Sequence, residues 1–237
     1  MELRFAVAKT DQFGAATTGD TVETTERPNG GISIILADGQ EDARDSKAIS
    51  TMVSHKVIEF ITQGYKDSIA VRSASNWIYQ EYSGRVSANL NILTADLQTN
   101  TIVISRNNPV PVFLVTDGQV DTLSEDSVPI GTQLDVSPSI VELSIIPDML
   151  IIMVSDGVYF AGQPEKNEMD ILTIIKSLVE EQEISTREIA DTILNWAIRL
   201  DNDRPKDDMS VIVMLISHHP ADNIRRMFGS MELYPQL

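Results

Sequence analysis

"RPNGGISIILADGQ", Arg27 to Gln40, contains a turn and a strand in one short stretch. Asn29-Gly30 favours the positive φ of a tight hairpin turn, and Ile32 to Ala37 then reads as an apolar strand. That strand runs into Asp38 and Gly39 rather than a solvated loop. Before the turn, the Thr-rich "AATTGDTVETTE" (Ala15 to Glu26) reads as the outgoing extended arm, so Asp20 and Asp38 belong to one hairpin. The same ending recurs in "IIMVSDGVYF" (Ile151 to Phe160), where five apolar or near-core positions deliver Asp156 and Gly157. Asp-Gly is a common turn dipeptide, and "TDGQ" (Thr116 to Gln119), with strands on both sides, reads as a turn only.

Working outward, "ELRFAVAKT" alternates well enough for a strand. Ile49, Met52, Val53, Val57, Phe60 and Ile61 recur at helical spacing, predicting a helix over 43–63, and a second helix is predicted over 66–82. The middle of the chain reads as successive strands joined by short turns: "RVSANLNILTADL", "TIVISRN", "PVFLVT", "VDTLS", "SIVELSII" and "MLIIMV". Helices are expected again over 168–181 and 186–200, and "DDMSVIVMLIS" closes the pattern as a strand. Tight turns between strands imply antiparallel sheets rather than repeated βαβ units. The expectation is an α+β fold with two packed sheets and helices outside, in one domain spanning 1–237, with its core about 2–217 and a tail over 218–237.

Composition narrows the function. Lys plus Arg is 18 and Asp plus Glu is 35, a net charge of −17. Such a chain repels nucleic acid and anionic membrane, and it attracts divalent cations or a basic partner if the charge is more than a solubility device. Cysteine is absent, which removes disulfides, thiolate metal sites and a cysteine nucleophile. No apolar run approaches the roughly 20 residues of a membrane span, and the N-terminus lacks a signal-peptide pattern. The expected location is the cytoplasm.

Four acidic positions sit at strand ends instead of on helix faces: Asp20, Asp38, Asp156, and the Asp207-Asp208 pair. A carboxylate beside an apolar strand is partly desolvated, which is costly without a cation. No single Arg or Lys partners them locally. Oxygen donors gathered from distant parts of a chain suit a hard divalent ion, and a following glycine leaves a backbone carbonyl unobstructed. His55, His218 and His219 read as surface or packing positions, and Trp77 and Trp196 as core or helix contacts.

"GD" in a first hairpin, a strand ending "DG", a later strand ending "SDG" and a terminal "DDMSVIV" resemble the metal-dependent (PPM, type 2C) Ser/Thr protein phosphatases. "NNPVPVFLV" and "VPIG" are similar to the bacterial branch that includes the sporulation stage II protein E phosphatase. The resemblance covers about 5–216, and each motif is weak alone while their order and spacing together are specific. It implies a four-layer α-β-β-α sandwich of two antiparallel sheets flanked by helical pairs. It also implies two Mn2+ or Mg2+ ions and attack on phosphoserine or phosphothreonine by a metal-bound hydroxide. Carried over by motif, Asp38 resembles the bridging ligand, joined on one side by the Gly39 carbonyl and Asp20 and on the other by Asp156 and Asp207. Asp38 and Asp156 are the expected catalytic positions, and Asp208 ranks as a support or secondary ligand. The implied partner is a phosphorylated regulatory protein, such as an anti-sigma factor antagonist. The alternative is a catalytically inactive phosphatase-fold module that binds a phosphoprotein.

The sequence departs from the family after Gly39, where Glu41, Asp42 and Asp45 replace small residues. These acids either cap the following helix, bind an extra cation as secondary ligands, or alter substrate access. No substrate-binding residue is assigned: the stretch before Asp20 lacks the Arg that some relatives place there, and Arg44 and Lys47 are the nearest basic candidates.

Overall fold

The computed structural model describes residues 1–15, 18–40, 46–163, 167–181, 185–219, 224, 226–227 and 229–231. Glu41, Asp42, Arg44 and Asp45 lie outside the described residues. Among the described residues, ten strands form two antiparallel five-stranded sheets. Sheet I has the order β1 (Glu2–Thr10), β10 (Met209–Ser217), β9 (Leu150–Val154), β6 (Val112–Thr116), β7 (Gln119–Leu123). Sheet II has the order β2 (Thr21–Glu26), β3 (Ile32–Gly39), β4 (Ala88–Asp96), β5 (Thr101–Asn107), β8 (Ser139–Ser144). Helices α1 (Ser46–Thr62) and α2 (Asp67–Tyr82) cover sheet II, and α4 (Ile171–Glu180) and α5 (Thr186–Leu200) cover sheet I.

Strand periodicity divides the apolar residues into three layers. In β3, Ile34 and Leu36 face the other sheet, where they meet Ile151, Met153, Ile212 and Met214. Ile35 and Ala37 face the opposite way, onto Val53, Val57 and Ile78 of α1 and α2. On sheet I, Ile152, Val154, Val211 and Val213 meet Ile175, Ile189 and Ile193 of α4 and α5. Both faces of β3, β9 and β10 are therefore buried, which explains their unbroken apolar runs.

The elements follow the expected order. Asp117 and Gly118 both have positive φ (50° and 72°), so "TDGQ" is a hairpin turn. At 27–31 the Arg27 amide donates to the Gly31 carbonyl (2.7 Å) and the Gly30 amide to the Arg27 carbonyl (2.8 Å). Three differences stand out. The segment after β9 is a short helix, α3 (Asp156–Tyr159), on which the sequence pattern is silent. The 168–181 helix begins later, at Ile171, because Asp170 caps it by accepting the Thr173 amide at 3.1 Å. Trp196 is 47% exposed rather than a core residue: it stands at the edge of the α5 face that carries Ile189 and Ile193, where the burial runs out. Among the described residues no helix is long and apolar enough to cross a membrane.

Candidate active site

Register brings the first two carboxylates together. Thr21 pairs with Ala37, which sets Asp20 and Asp38 at the open end of the β2–β3 hairpin. Asp38 shares the parity of Ile34 and Leu36, so it points toward the space between the sheets. Asp156 leaves the end of β9, where Val154 pairs with Val211 of β10. Asp207 and Asp208 immediately precede β10. Ser155 ties these two strand ends: its hydroxyl accepts the Ser210 amide (2.9 Å), and its own amide donates to the Ser210 carbonyl (2.9 Å). The carboxylates of both sheets thus converge on one edge of the sandwich.

The glycines have a steric reason. A Cβ at Gly39 would strike the carbonyl oxygen of Ser46 at the start of α1, and one at Gly157 would strike the carbonyl oxygen of Asp208. Neither has positive φ. Asp-Gly here reflects close backbone approach, which locks each carboxylate against a neighbouring element.

Asp20 is 1% exposed, and its carboxylate accepts the Ser210 hydroxyl at 2.6 Å. Burial pushes its carboxyl up to about 7, with the Asp156 and Asp208 charges adding to the rise. Asp38 accepts the side-chain amides of Gln40 (2.6 Å) and Asn89 (3.3 Å). Burial, then the charges of Asp156, Asp20 and Asp207, push it up to about 8. Asp156 is raised by burial and by Asp207, and Asp207 by desolvation. The four groups sense one another's charge, which requires proximity. Among the described residues, no three acidic or histidine side chains stand close enough together to hold a metal ion as they are placed here. Hard oxygen donors around a shared negative potential are the donor set that a Mg2+- or Mn2+-like ion fits.

Asp208 behaves differently from the others. Its two oxygens accept the backbone amides of Gln12 (2.9 Å) and Gly19 (2.5 Å), so it fastens the loop that precedes Asp20. Lys9 and Lys47, both distant from Asp20 in sequence, each donate to its backbone carbonyl at 2.9 Å. The fold thus brings two cations to the backbone of Asp20. Lys9 ends β1 and Lys47 opens α1, so only the three-dimensional arrangement unites them. Asn89 was also missed, although polar residues alternating with apolar ones in a strand that is buried on both faces are a legible signal. His55 sits on the surface, 3.9 Å from Glu23.

A family model described as stage II sporulation protein E (SpoIIE) matches residues 28–217. Stage II sporulation protein E of Priestia megaterium is 24% identical over 213 residues, covering 90% of this chain and 36% of that protein. The chain therefore spans about a third of the length of this curated relative. Among solved structures, the PP2C phosphatase domain with a fragment of the regulatory domain of SpoIIE from Bacillus subtilis gives a TM-score of 0.79 at 20% identity. It covers 93% of this chain and 63% of that one. The catalytic domain of the serine/threonine protein phosphatase PstP, solved in complex with two manganese ions, gives 0.70 at 16% identity, covering 91% and 99%. At these identities the structural likeness is one of fold.

Proposed function

Because the chain belongs to the stage II sporulation protein E family, we propose that it is a metal-dependent phosphatase that removes phosphate from serine and threonine of a regulatory phosphoprotein. One observation carries the reading: Asp20, Asp38, Asp156 and Asp207, from both sheets, meet at one edge where burial and mutual repulsion favour their protonated forms. Such a set gains most from a cation that replaces those protons.

In this reading Asp38, with the Gly39 carbonyl and Asp20 on one side and Asp156 and Asp207 on the other, would hold the Mn2+ or Mg2+ ions. When bound, such a pair supplies an acidified water and neutralises charge on the phosphoryl group. The chain's own part is orientation. Asn89 and Gln40 hold the Asp38 carboxylate, Ser210 holds that of Asp20, and Gly157 fixes where Asp156 leaves its strand. Asp208 supports the site through backbone amides. Glu41 and Asp42, the further secondary ligands expected from the sequence, lie outside the described residues. A small phosphoprotein such as an anti-sigma factor antagonist, in the cytoplasm, is the substrate we favour, on the strength of the family.

Hydrolysis of an aryl phosphate tests this directly. Turnover is expected with Mn2+, is abolished by EDTA, and falls by at least about a hundredfold in Asp38→Asn and Asp156→Asn. A wild-type protein with no Mn2+-dependent turnover is instead a binding module of the same fold, and full activity in either variant removes that residue from the site.

A further inference from the structure

Between the two sheets the side chains are mostly apolar, but the layer turns polar on approach to the rim. On β4, Leu93 and Ala95 belong to the intersheet core, and Asn89 and Asn91 share their parity. On β5, Arg106 shares the parity of Ile102 and Ile104. On sheet I, Ser155 and Ser210 share that of Met153 and Ile212. Register sets Asn91 between Leu36 of β3 and Arg106 of β5, two residues deeper than Asn89, the cross-strand partner of Asp38.

In this layer Asn91 stands apart. The Ser210 hydroxyl donates to Asp20 (2.6 Å), and the Ser155 hydroxyl to the Asp208 carbonyl (3.2 Å). Arg106 sends one terminal amine to the Asn108 carbonyl (2.7 Å) and the other to the Glu125 carbonyl. Asn91 is 0% exposed, and neither its amide nitrogen nor its oxygen has a hydrogen-bonding partner among the described residues. A side-chain amide buried in hydrocarbon with nothing to bond is costly. The backbone beside it is engaged in the β3–β4–β5 ladder, so its partner comes from solvent. Buried amides of this kind are met by ordered water. Asparagine is also shorter than the residues at Leu36, Leu93 and Ile104, so hydrocarbon alone does not fill the layer at this position.

Asn89 has a complementary need. Its bond to Asp38, at 3.3 Å, is long. Its side chain makes no other hydrogen bond among the described residues. One long bond does not fix the orientation of an amide. Asn89 and Asn91 lie on one face, about 6.6 Å apart along the strand, a span that two side-chain amides and one water bridge.

We infer that Asn91 binds a buried water molecule between the sheets, and that this water hydrogen-bonds to the Asn89 amide and so steadies the Asp38 carboxylate from behind. Asn91 is thereby a positioning residue, acting on the site through Asn89. The water site stands on the buried geometry; its effect on metal binding rests on the phosphatase reading.

Crystals of the wild type and of Asn91→Leu, both grown in EDTA, decide the water without metal. The wild type is expected to show an ordered water within hydrogen-bonding distance of both Asn91 and Asn89. In Asn91→Leu the water is gone and the Asn89 amide turns from Asp38. No water at Asn91, a water that touches Asn91 but not Asn89, or an unmoved Asn89 in the variant overturns the inference. Calorimetry gives a second readout. Asn91→Leu completes the apolar layer, so its melting temperature in EDTA is expected at or above that of the wild type. Its Mn2+ affinity nevertheless falls about tenfold, the size expected when a group that orients a ligand is lost. Asn91→Ser, which keeps a hydroxyl and leaves space for the water, recovers most of that affinity. Equal Mn2+ affinity in wild type and Asn91→Leu overturns the brace, and so does an equal loss in Asn91→Ser, since packing is then responsible. If the wild type binds no Mn2+, the metal-dependent reading fails by itself, and the paired crystal structures decide the water and the position of Asn89.

Discussion

Asp20 and Asp38 retain protons in the folded chain at pH values where an unfolded carboxyl has lost them. Their ordinary value is 3.8, and in the fold they reach about 7 and about 8, chiefly through burial. The folded state thus binds more protons than the unfolded state between about pH 4 and pH 8, and stability falls as pH rises through that window. The slope is about 1.4 kcal/mol per pH unit for each extra proton held. In EDTA, the melting temperature is expected to drop steadily from pH 5 to pH 8, and added Mn2+ to restore most of the loss at pH 8. A rising profile in EDTA would contradict the buried-carboxylate account. The glycines make a second prediction. Gly39→Ala and Gly157→Ala each drive a methyl group into a backbone carbonyl that cannot rotate away. Each should cost at least about 1–3 kcal/mol in urea unfolding. Asp38 was legible in the sequence because it breaks the apolar pattern of its strand, and Asp20 because the hairpin turn sets it opposite. The reason for the adjacent glycines was not, since the obstructing carbonyls belong to Ser46 and Asp208, far along the chain.

At the level of elements, α1 grips the loop that carries Asp20. Ser50 donates to the Gly19 carbonyl and lies 2.8 Å from the Thr21 hydroxyl, while Lys47 reaches both the Asp20 carbonyl and the Thr21 hydroxyl. Lys47→Met leaves the helix intact and releases part of this grip. Mn2+ affinity, measured by calorimetry, should fall about tenfold or more, as when groups that orient a ligand are lost, with circular dichroism unchanged. A tighter Mn2+ site in Lys47→Met would mean that the lysine acts mainly as a repelling charge. Strands and long helices were readable because period and turn chemistry agree over many residues. The four-residue α3 was not, since one helical turn leaves no periodicity, and its apolar Val158 resembles more strand. The start of α4 was displaced because Glu168 and Asp170 read equally as a first turn or as a cap.

Across the whole molecule, a buried polar knot anchors the helical layer to sheet II. Arg27, from the first hairpin, pairs with Asp67 at the start of α2 at 2.6 Å, with side chains 5% and 3% exposed. Ser33 accepts from Arg27 at 3.0 Å, Thr94 donates to Asp67 at 2.8 Å, and the Tyr65 carbonyl accepts from Arg27 at 2.8 Å. Removing one member strands a buried charge. Arg27→Ala should therefore destabilise by about 3–5 kcal/mol, whereas Arg27→Met with Asp67→Leu should recover much of the loss. Thermal unfolding of the three proteins checks it, and equal melting temperatures for single and double variants would refute it. Nothing in the sequence announced this pair, because an Arg in a hairpin turn and an Asp before a helix each have ordinary local explanations. The layered fold itself carries a last consequence. Sheet II supplies Asp20 and Asp38, and sheet I supplies Asp156 and Asp207, so the separation of the two halves of the site is set by how the sheets slide past each other. The lubricating layer between them is Ile34, Leu36, Ile151, Met153, Ile212 and Met214. Shear in that layer is transmitted to the rim, which makes a methionine that never meets water, such as Met153, a gauge of the spacing on which the chemistry depends.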